Sequence, residues 1–188
     1  MEIDKIIRRC RVALDTGALP LRPQQDLDSF CDSDVPGERI MLDTYVMIDQ
    51  LQGRLPEEAE ARILARTIVH SPIVMGELSF LIGGLDPAHS GTAQAIAGIK
   101  DLLDSIPDHR ILDLKPEDAA RGKILAGCMA RILGYGKEGR RKAQSDAILA
   151  AQAARLGCLL VSRNTADFDR LSQLETEKPH RSASARPT

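Results

Sequence analysis

Between Arg39 and Leu174 the chain alternates short, wholly apolar runs with longer segments whose apolar residues recur at helical spacing. "RIMLD", "TIVHS", "HRILDL" and "CLLVS" have the length and content of buried strands. Helices are predicted between them. "LPEEAEARILART" starts at Pro56, with acids in its first turn, and ends near Thr67. In "SPIVMGELSFLIGG", Ser71 is a candidate N-cap, Pro72 fits the first helical position, and Gly83-Gly84 ends the helix. "SGTAQAIAGIKDLLDSI", "KPEDAARGKILAGCMARILGYG", "QSDAILAAQAARLG" and "NTADFDRLSQL" complete the set, with Gly157 stopping the third of these four. Short strands that are apolar throughout, separated by helices, imply an α/β fold with a parallel central sheet covered on both faces.

The flanks follow different rules. Ile3, Ile6, Ile7, Cys10 and Ala13 suit a short amphipathic helix, and the proline- and acid-rich "ALPLRPQQDLDSFCDSDVPGE" after it suits an irregular linker. Residues 1–38 are therefore expected as an extension, and 39–175 as the main domain. Residues 176–188 have no apolar periodicity and are expected to be disordered.

Composition narrows the possible functions. At 188 residues and 43% apolar content the chain can build one substantial core. Aromatics make up only 3%, which argues against an RNA-binding sheet faced with stacking rings. A net charge of −2 attracts no polyanion globally, so any nucleic-acid contact must come from a local basic cluster. The cysteines, Cys10, Cys31, Cys128 and Cys158, are scattered without zinc-ligand spacing or a disulfide framework. The chain has no apolar run long enough to span a bilayer and no secretory leader pattern, so a cytoplasmic protein without membrane association is expected.

The candidate chemistry lies in acids that interrupt apolar segments. Asp43 closes the apolar run "IML", at the carboxyl end of a strand, where α/β sheets place their ligands. Taken singly, it reads more readily as a turn cap, and Asp146 likewise as an N-cap or first-turn acid. Glu77 stands in mid-helix among Met75, Leu78 and Phe80, where a carboxylate is costly unless it meets a cation or water. Ser162, Asn164 and Asp167 follow the last strand in the same topological position as Asp43. Two carboxylates about 4 Å apart repel by roughly 4 kcal/mol at an effective dielectric of 20, so several converge only around a compensating cation. Oxygen ligands of this kind suit Mg²⁺ or Mn²⁺.

"MLDTYVMIDQL", "TIVHSPIVMGEL", "QSDAILAAQAARLG" and "CLLVSRNTADFDRL", in that order, resemble the motif series of PIN-domain ribonucleases, especially VapC-type toxins of bacterial toxin–antitoxin systems. The resemblance covers roughly Arg39 to Leu174. It implies a three-layer fold, a short parallel sheet flanked by helices, and Mg²⁺- or Mn²⁺-dependent RNA cleavage. The family's acids fall on Asp43, Glu77 and Asp146, with Asp167 as the fourth and Asn164 bonding an acid or a phosphate. A small antitoxin partner and a homodimer are implied by resemblance only. Two features depart from the family: residues 1–38 are extra, and no closing apolar strand follows the last motif.

Lys137, Arg140, Arg141 and Lys142 precede Asp146 and could hold RNA phosphates if they form a loop beside it; a solvated loop is the equal alternative. Ser162 and Arg163 are further candidates for substrate contact. Asp49 is expected to be a solvent-facing acid of its helix. Two other functions compete with a nuclease. A phosphotransferase of the haloacid dehalogenase type would need a second aspartate where Tyr45 stands. A catalytically silent RNA-binding or partner-binding module would keep the fold without turnover.

Overall fold

The computed structural model describes residues 2–15, 17, 19–23, 39–176 and 181–185. In chain order the elements are α1 (Ile3–Arg8), β1 (Arg39–Leu42), α2 (Thr44–Leu51), α3 (Glu57–Leu64), β2 (Thr67–Val69), α4 (Pro72–Gly84) and α5 (Thr92–Asp104). A 3₁₀ turn (Asp108–Arg110), α6 (Pro116–Ile132), α7 (Lys137–Leu156), β3 (Leu159–Ser162), α8 (Thr165–Leu174) and β4 (Arg181–Ser184) follow. The four strands form one parallel sheet in the order β2-β1-β3-β4, flanked by helices, as the apolar pattern predicts.

Ile40, Met41 and Leu42 of β1 and Leu159, Leu160 and Val161 of β3 are buried, which explains why neither strand alternates with polar residues. The chain leaves β1 for β2 on one side and passes from β3 to β4 on the other. The order therefore reverses between β1 and β3, and a cleft opens at their carboxyl ends. Asp43 and Ser162 stand at those two ends.

α6 and α7 pack so tightly that a Cβ on Gly122 would lie 2.5 Å from the Ile148 Cα. Gly157 ends α7 in the left-handed conformation, with φ of 64°. No helix among the described residues is long and apolar enough to cross a membrane.

Three expectations are corrected. Residues 181–184, assigned to a disordered tail, form β4, with Val161 opposite Ala183. A parallel ladder uses main-chain groups that serine and alanine also carry, and the small side chains of Ala183 and Ala185 join the core without an apolar run. "HRILDL" forms no strand. After the 3₁₀ turn only Ile111 makes a bridge, to His70, and the carbonyls of Leu112 and Asp113 accept from the Gln152 side-chain amide rather than from a ladder.

α7 begins seven residues before Gln144, because "KEGRRKA" is polar but helix-competent. Asp146 is thus in mid-helix, and Lys137, Arg140, Arg141 and Lys142 are helical rather than in a loop. The extension, whose short helix α1 forms as expected, docks on the domain. Ile6, Cys10 and Leu19 are buried, Cys10 bridges to Glu175, and the Arg11 N–H donates to the Leu174 carbonyl at 2.8 Å. The expected linker over residues 24–38 lies outside the described residues, as do tail residues 177–180 and 186–188.

Candidate active site

Asp43 is the helix cap that its sequence position allows, and it stands at the carboxyl end of β1. As N-cap of α2, its Oδ1 accepts from the Val46 N–H at 2.9 Å, while its Oδ2 accepts from the Ser162 hydroxyl. Its own N–H donates to the Val161 carbonyl at 3.0 Å, so the neighbouring strand β3 holds the residue at both backbone and side chain. Burial pushes its pKa up; the Ser162 and main-chain donors oppose this, and the Glu77 charge adds to the rise.

Ser71 caps α4 and Pro72 opens it, as predicted, which sets the phase that turns Glu77 toward Asp43. The Thr44 hydroxyl donates to Glu77 Oε2 and ties α4 to the first residue of α2. Asp146 arrives from α7. Asp43, Glu77 and Asp146 line one cavity of ≈240 Å³, together with Thr44, Tyr45, Phe80, Lys142 and apolar side chains.

Asp167, on the first turn of α8, is joined to this group indirectly. Asn164 Nδ2 donates to Asp146 Oδ2 and to Asp167 Oδ2, both at 2.9 Å, and the Tyr135 hydroxyl donates to Asp167 Oδ1 at 3.2 Å. Asn164 in turn is held by its N–H donating to Ser162 Oγ at 2.8 Å. Asp146 feels the same electrostatic pressure as Asp43. Desolvation raises its pKa to about 7; the Lys142 ammonium opposes the rise, and Glu77, Asp167 and Asp43 reinforce it. Asp146, like Asp43, is an acid that a nearby cation would relieve.

The other expected contacts are divided. Lys142 lines the acid cavity, its Nζ 6.0 Å from the centre of the Tyr45 ring. Arg140 turns away: its Nε donates to the Tyr135 carbonyl at 2.9 Å, and it lines a separate groove between α6 and α7 with Lys123, Arg131 and Gln144. Lys137 and Arg141 are exposed and do not line the acid cavity. Ser162 serves Asp43 and Asn164, and the Arg163 guanidinium pairs with Asp49 at 2.6 Å.

Asp49 thereby corrects another expectation. It is 3% exposed and paired with Arg54 as well as Arg163. Sequence reading also missed Thr44, Tyr135 and Gln152, whose roles depend on partners distant in sequence; only Thr44, beside Asp43 in "LDT", had a local signal.

Comparison with known proteins agrees with this architecture. The sequence model of the PIN domain matches residues 40–174. No curated protein matches the chain. Among solved structures, DNA-bound VapBC from Salmonella typhimurium aligns with a TM-score of 0.54 at 19% identity, covering 79% of this chain and 99% of that one. VapBC-1 from nontypeable Haemophilus influenzae aligns with a TM-score of 0.53 at 20% identity, covering 78% and 98%. VapBC2 from Rickettsia felis, bound to a DNA fragment from its promoter, aligns with a TM-score of 0.53 at 16% identity over the same shares. These likenesses are of fold.

Proposed function

The chain belongs to the PIN-domain family, and we propose that it is a divalent-metal-dependent endoribonuclease acting as the toxin of a toxin–antitoxin pair. The observation that supports this reading best is the convergence of Asp43, Glu77 and Asp146 on one cavity at the reversal point of the sheet. Cytoplasmic RNA is the proposed substrate. A small antitoxin that masks the cavity and a homodimeric assembly belong to the same reading; the VapBC resemblance in fold is their support.

The donor set limits how Mg²⁺ or Mn²⁺ would be held. Among the described residues, no three His, Cys, Asp or Glu side chains are spaced to close around one ion. Mg²⁺ does not require such a set, since it keeps several waters and uses one or two carboxylates. Asp43 and Asp146 are the proposed direct ligands, with Glu77 and Asp167 completing the acidic surroundings. The raised pKa values of Asp43 and Asp146 support this assignment, because charge compensation is what these buried acids lack.

When bound, the ion supplies charge compensation and the Lewis acidity that activates a water for attack on phosphorus. The chain's own groups do the positioning. Ser162 and the Val46 N–H fix the Asp43 carboxylate, Asn164 fixes Asp146 against Asp167, and Thr44 holds Glu77. Lys142 stands where it can attract a phosphate into a cavity that is otherwise acidic. Water adds to phosphorus as the bond to the 3′-oxygen breaks, leaving 5′-phosphate and 3′-hydroxyl ends.

Purified protein should cleave RNA when Mg²⁺ or Mn²⁺ is supplied and stop when it is chelated. Asp43→Asn and Asp146→Asn should each lower the rate by a hundredfold or more (about 3 kcal/mol of transition-state stabilisation). Wild-type cleavage by Asp146→Asn would refute the mechanism. Expression in a bacterial host should arrest growth, and Asp43→Ala should relieve the arrest. Intact RNA at all metal concentrations, with RNA still bound, would leave a silent binding module instead.

A further inference from the structure

Residues 8–11 and 20–22 of the extension run back along α8, the helix whose cap and first turn carry Asn164 and Asp167. The Thr176 hydroxyl donates to the Arg8 carbonyl at 2.9 Å, the Arg11 N–H to the Leu174 carbonyl at 2.8 Å, and Gln173 Nε2 to the Pro20 carbonyl at 3.0 Å. The series ends on a charge pair. Arg22 Nε donates to Asp169 Oδ1 at 2.5 Å and its Nη2 meets the same oxygen, while Gln173 Nε2 donates to Asp169 Oδ2 at 2.9 Å.

The Asp169 side chain is 1% exposed and that of Arg22 48%. A carboxylate buried this deeply must be paired, and losing its partner leaves a charge that can be relieved only by moving toward water. Arg22 supplies the pairing from outside the main domain. Asp169 and Asp167 stand two positions apart, roughly 200° around a helix, so they lie on opposite faces of α8. Asp169 faces the extension, and Asp167 accepts from Asn164 Nδ2 and from the Tyr135 hydroxyl. With ten residues, about three turns, α8 is too short to bend between them. A displacement at Asp169 therefore reaches Asp167 and Asn164, and through the Asn164 amide it reaches Asp146.

We propose that Arg22 is a positioning residue of the acid cavity: by pairing with Asp169 from the extension it fixes α8, and with it the run of contacts from Asp167 through Asn164 to Asp146. The extension is then part of the site's support and not an appendage. The effect on catalysis rests on the endoribonuclease reading; the effect on the position of α8 does not.

The chain has two tyrosines, and Tyr135 donates to Asp167 while Tyr45 stands on α2. That pair allows a test with its own internal control. In full-length, metal-free protein labelled at the tyrosine Cζ, the two NMR resonances can be assigned with Tyr45→Phe. Arg22→Ala should shift the Tyr135 resonance and leave that of Tyr45 in place. Arg22→Lys returns a positive charge to Asp169 Oδ1 and should restore it. Adding Asp169→Asn to Arg22→Ala removes the orphaned charge and should also bring the resonance back. In RNA cleavage at saturating Mn²⁺, Arg22→Ala should lower kcat by roughly tenfold or more while KM changes far less, and Arg22→Lys should recover most of the loss. If Arg22→Ala fails to fold, Arg22→Gln, which keeps a donor without the charge, takes its place with the same expected shifts.

A Tyr135 resonance that stays in place in the folded, uncharged variant would overturn the proposal, whatever the RNA does. A shifted resonance with kcat unchanged would overturn it as well, because α8 would then move without consequence for the site. Absence of RNA cleavage by the wild type would overturn the endoribonuclease reading and the catalytic role of Arg22 with it, and the resonance would still decide whether Arg22 fixes α8.

Discussion

Arg163 Nη1 lies 2.6 Å from Asp49 Oδ2, and this pair ties α2 to the turn between Ser162, the last residue of β3, and Asn164, the cap of α8. Asp43 begins α2 and accepts from Ser162, so the Asp49–Arg163 pair closes a second link between the same two segments. Burial alone would push the Asp49 pKa up, but hydrogen bonds and charge from Arg54 and Arg163 outweigh it and hold the carboxyl below its ordinary value. Asp49 is thus a positioning residue, acting on the acids through that turn.

Asp49→Asn is expected to lower activity by about tenfold or more, as loss of supporting contacts around a site does. Its stability cost is small, about 1 kcal/mol, since both arginines are partly exposed and screened. The sign with pH follows from the depressed pKa. The contribution is present at neutral pH and is lost as pH falls through the lowered folded value. Urea titrations at pH 7 and at successively more acid pH should therefore show the wild type and Asp49→Asn converging as acidity rises.

Asp146 should behave in the opposite direction in metal-free protein. Its folded pKa of about 7 stands above the ordinary 3.8, so between those values the folded state holds a proton that the unfolded state has lost. Stability from this group is greatest in acid and falls as pH rises toward and through 7. In EDTA, Asp146→Asn should raise Tm at pH 8 and leave it nearly unchanged at pH 4, each kcal/mol of relief being worth about 2–4 °C in a domain of this size. Adding Mg²⁺ or Mn²⁺ should stabilise the wild type more than the variant; equal gains would exclude Asp146 as a ligand.

Asn164 bonds two acids with one amide, a task neither alanine nor aspartate can perform. Asn164→Ala should reduce activity roughly tenfold to a hundredfold, and Asn164→Asp at least as much, because a further carboxylate adds repulsion without a donor. Cleavage rates at saturating and at limiting Mn²⁺ will separate weakened metal affinity from misplaced acids.

Gly122→Ala should destabilise the fold from a position outside the lining of the acid cavity. The new Cβ would stand 2.5 Å from the Ile148 Cα and 2.6 Å from its N, both backbone atoms, so α6 and α7 must move apart. A loss of about 1–3 kcal/mol is expected in a chemical denaturation midpoint. Gly127→Ala on the same helix meets nothing within 4 Å and should be neutral or slightly stabilising.

The sequence alone determined the parallel α/β architecture and singled out the acids Asp43, Glu77 and Asp146, which the fold brings to one cavity. Each rests on a local signal: strands without alternation, caps and glycine stops, and carboxylates set into apolar runs where they conflict with their neighbours. Tertiary structure alone decided how the remaining residues are used. Asp49 looks like any helical acid until Arg163, 114 residues away, is folded against it. Residues 181–184 carry no strand pattern, and they pair because the edge of β3 offers main-chain partners. Tyr45 and Phe80 lie 35 positions apart, each an unremarkable aromatic, until the packing of α2 and α4 brings them to one cavity. Local free-energy preferences can be read along a chain, but charge pairing, edge pairing and shared exposure depend on distances through space.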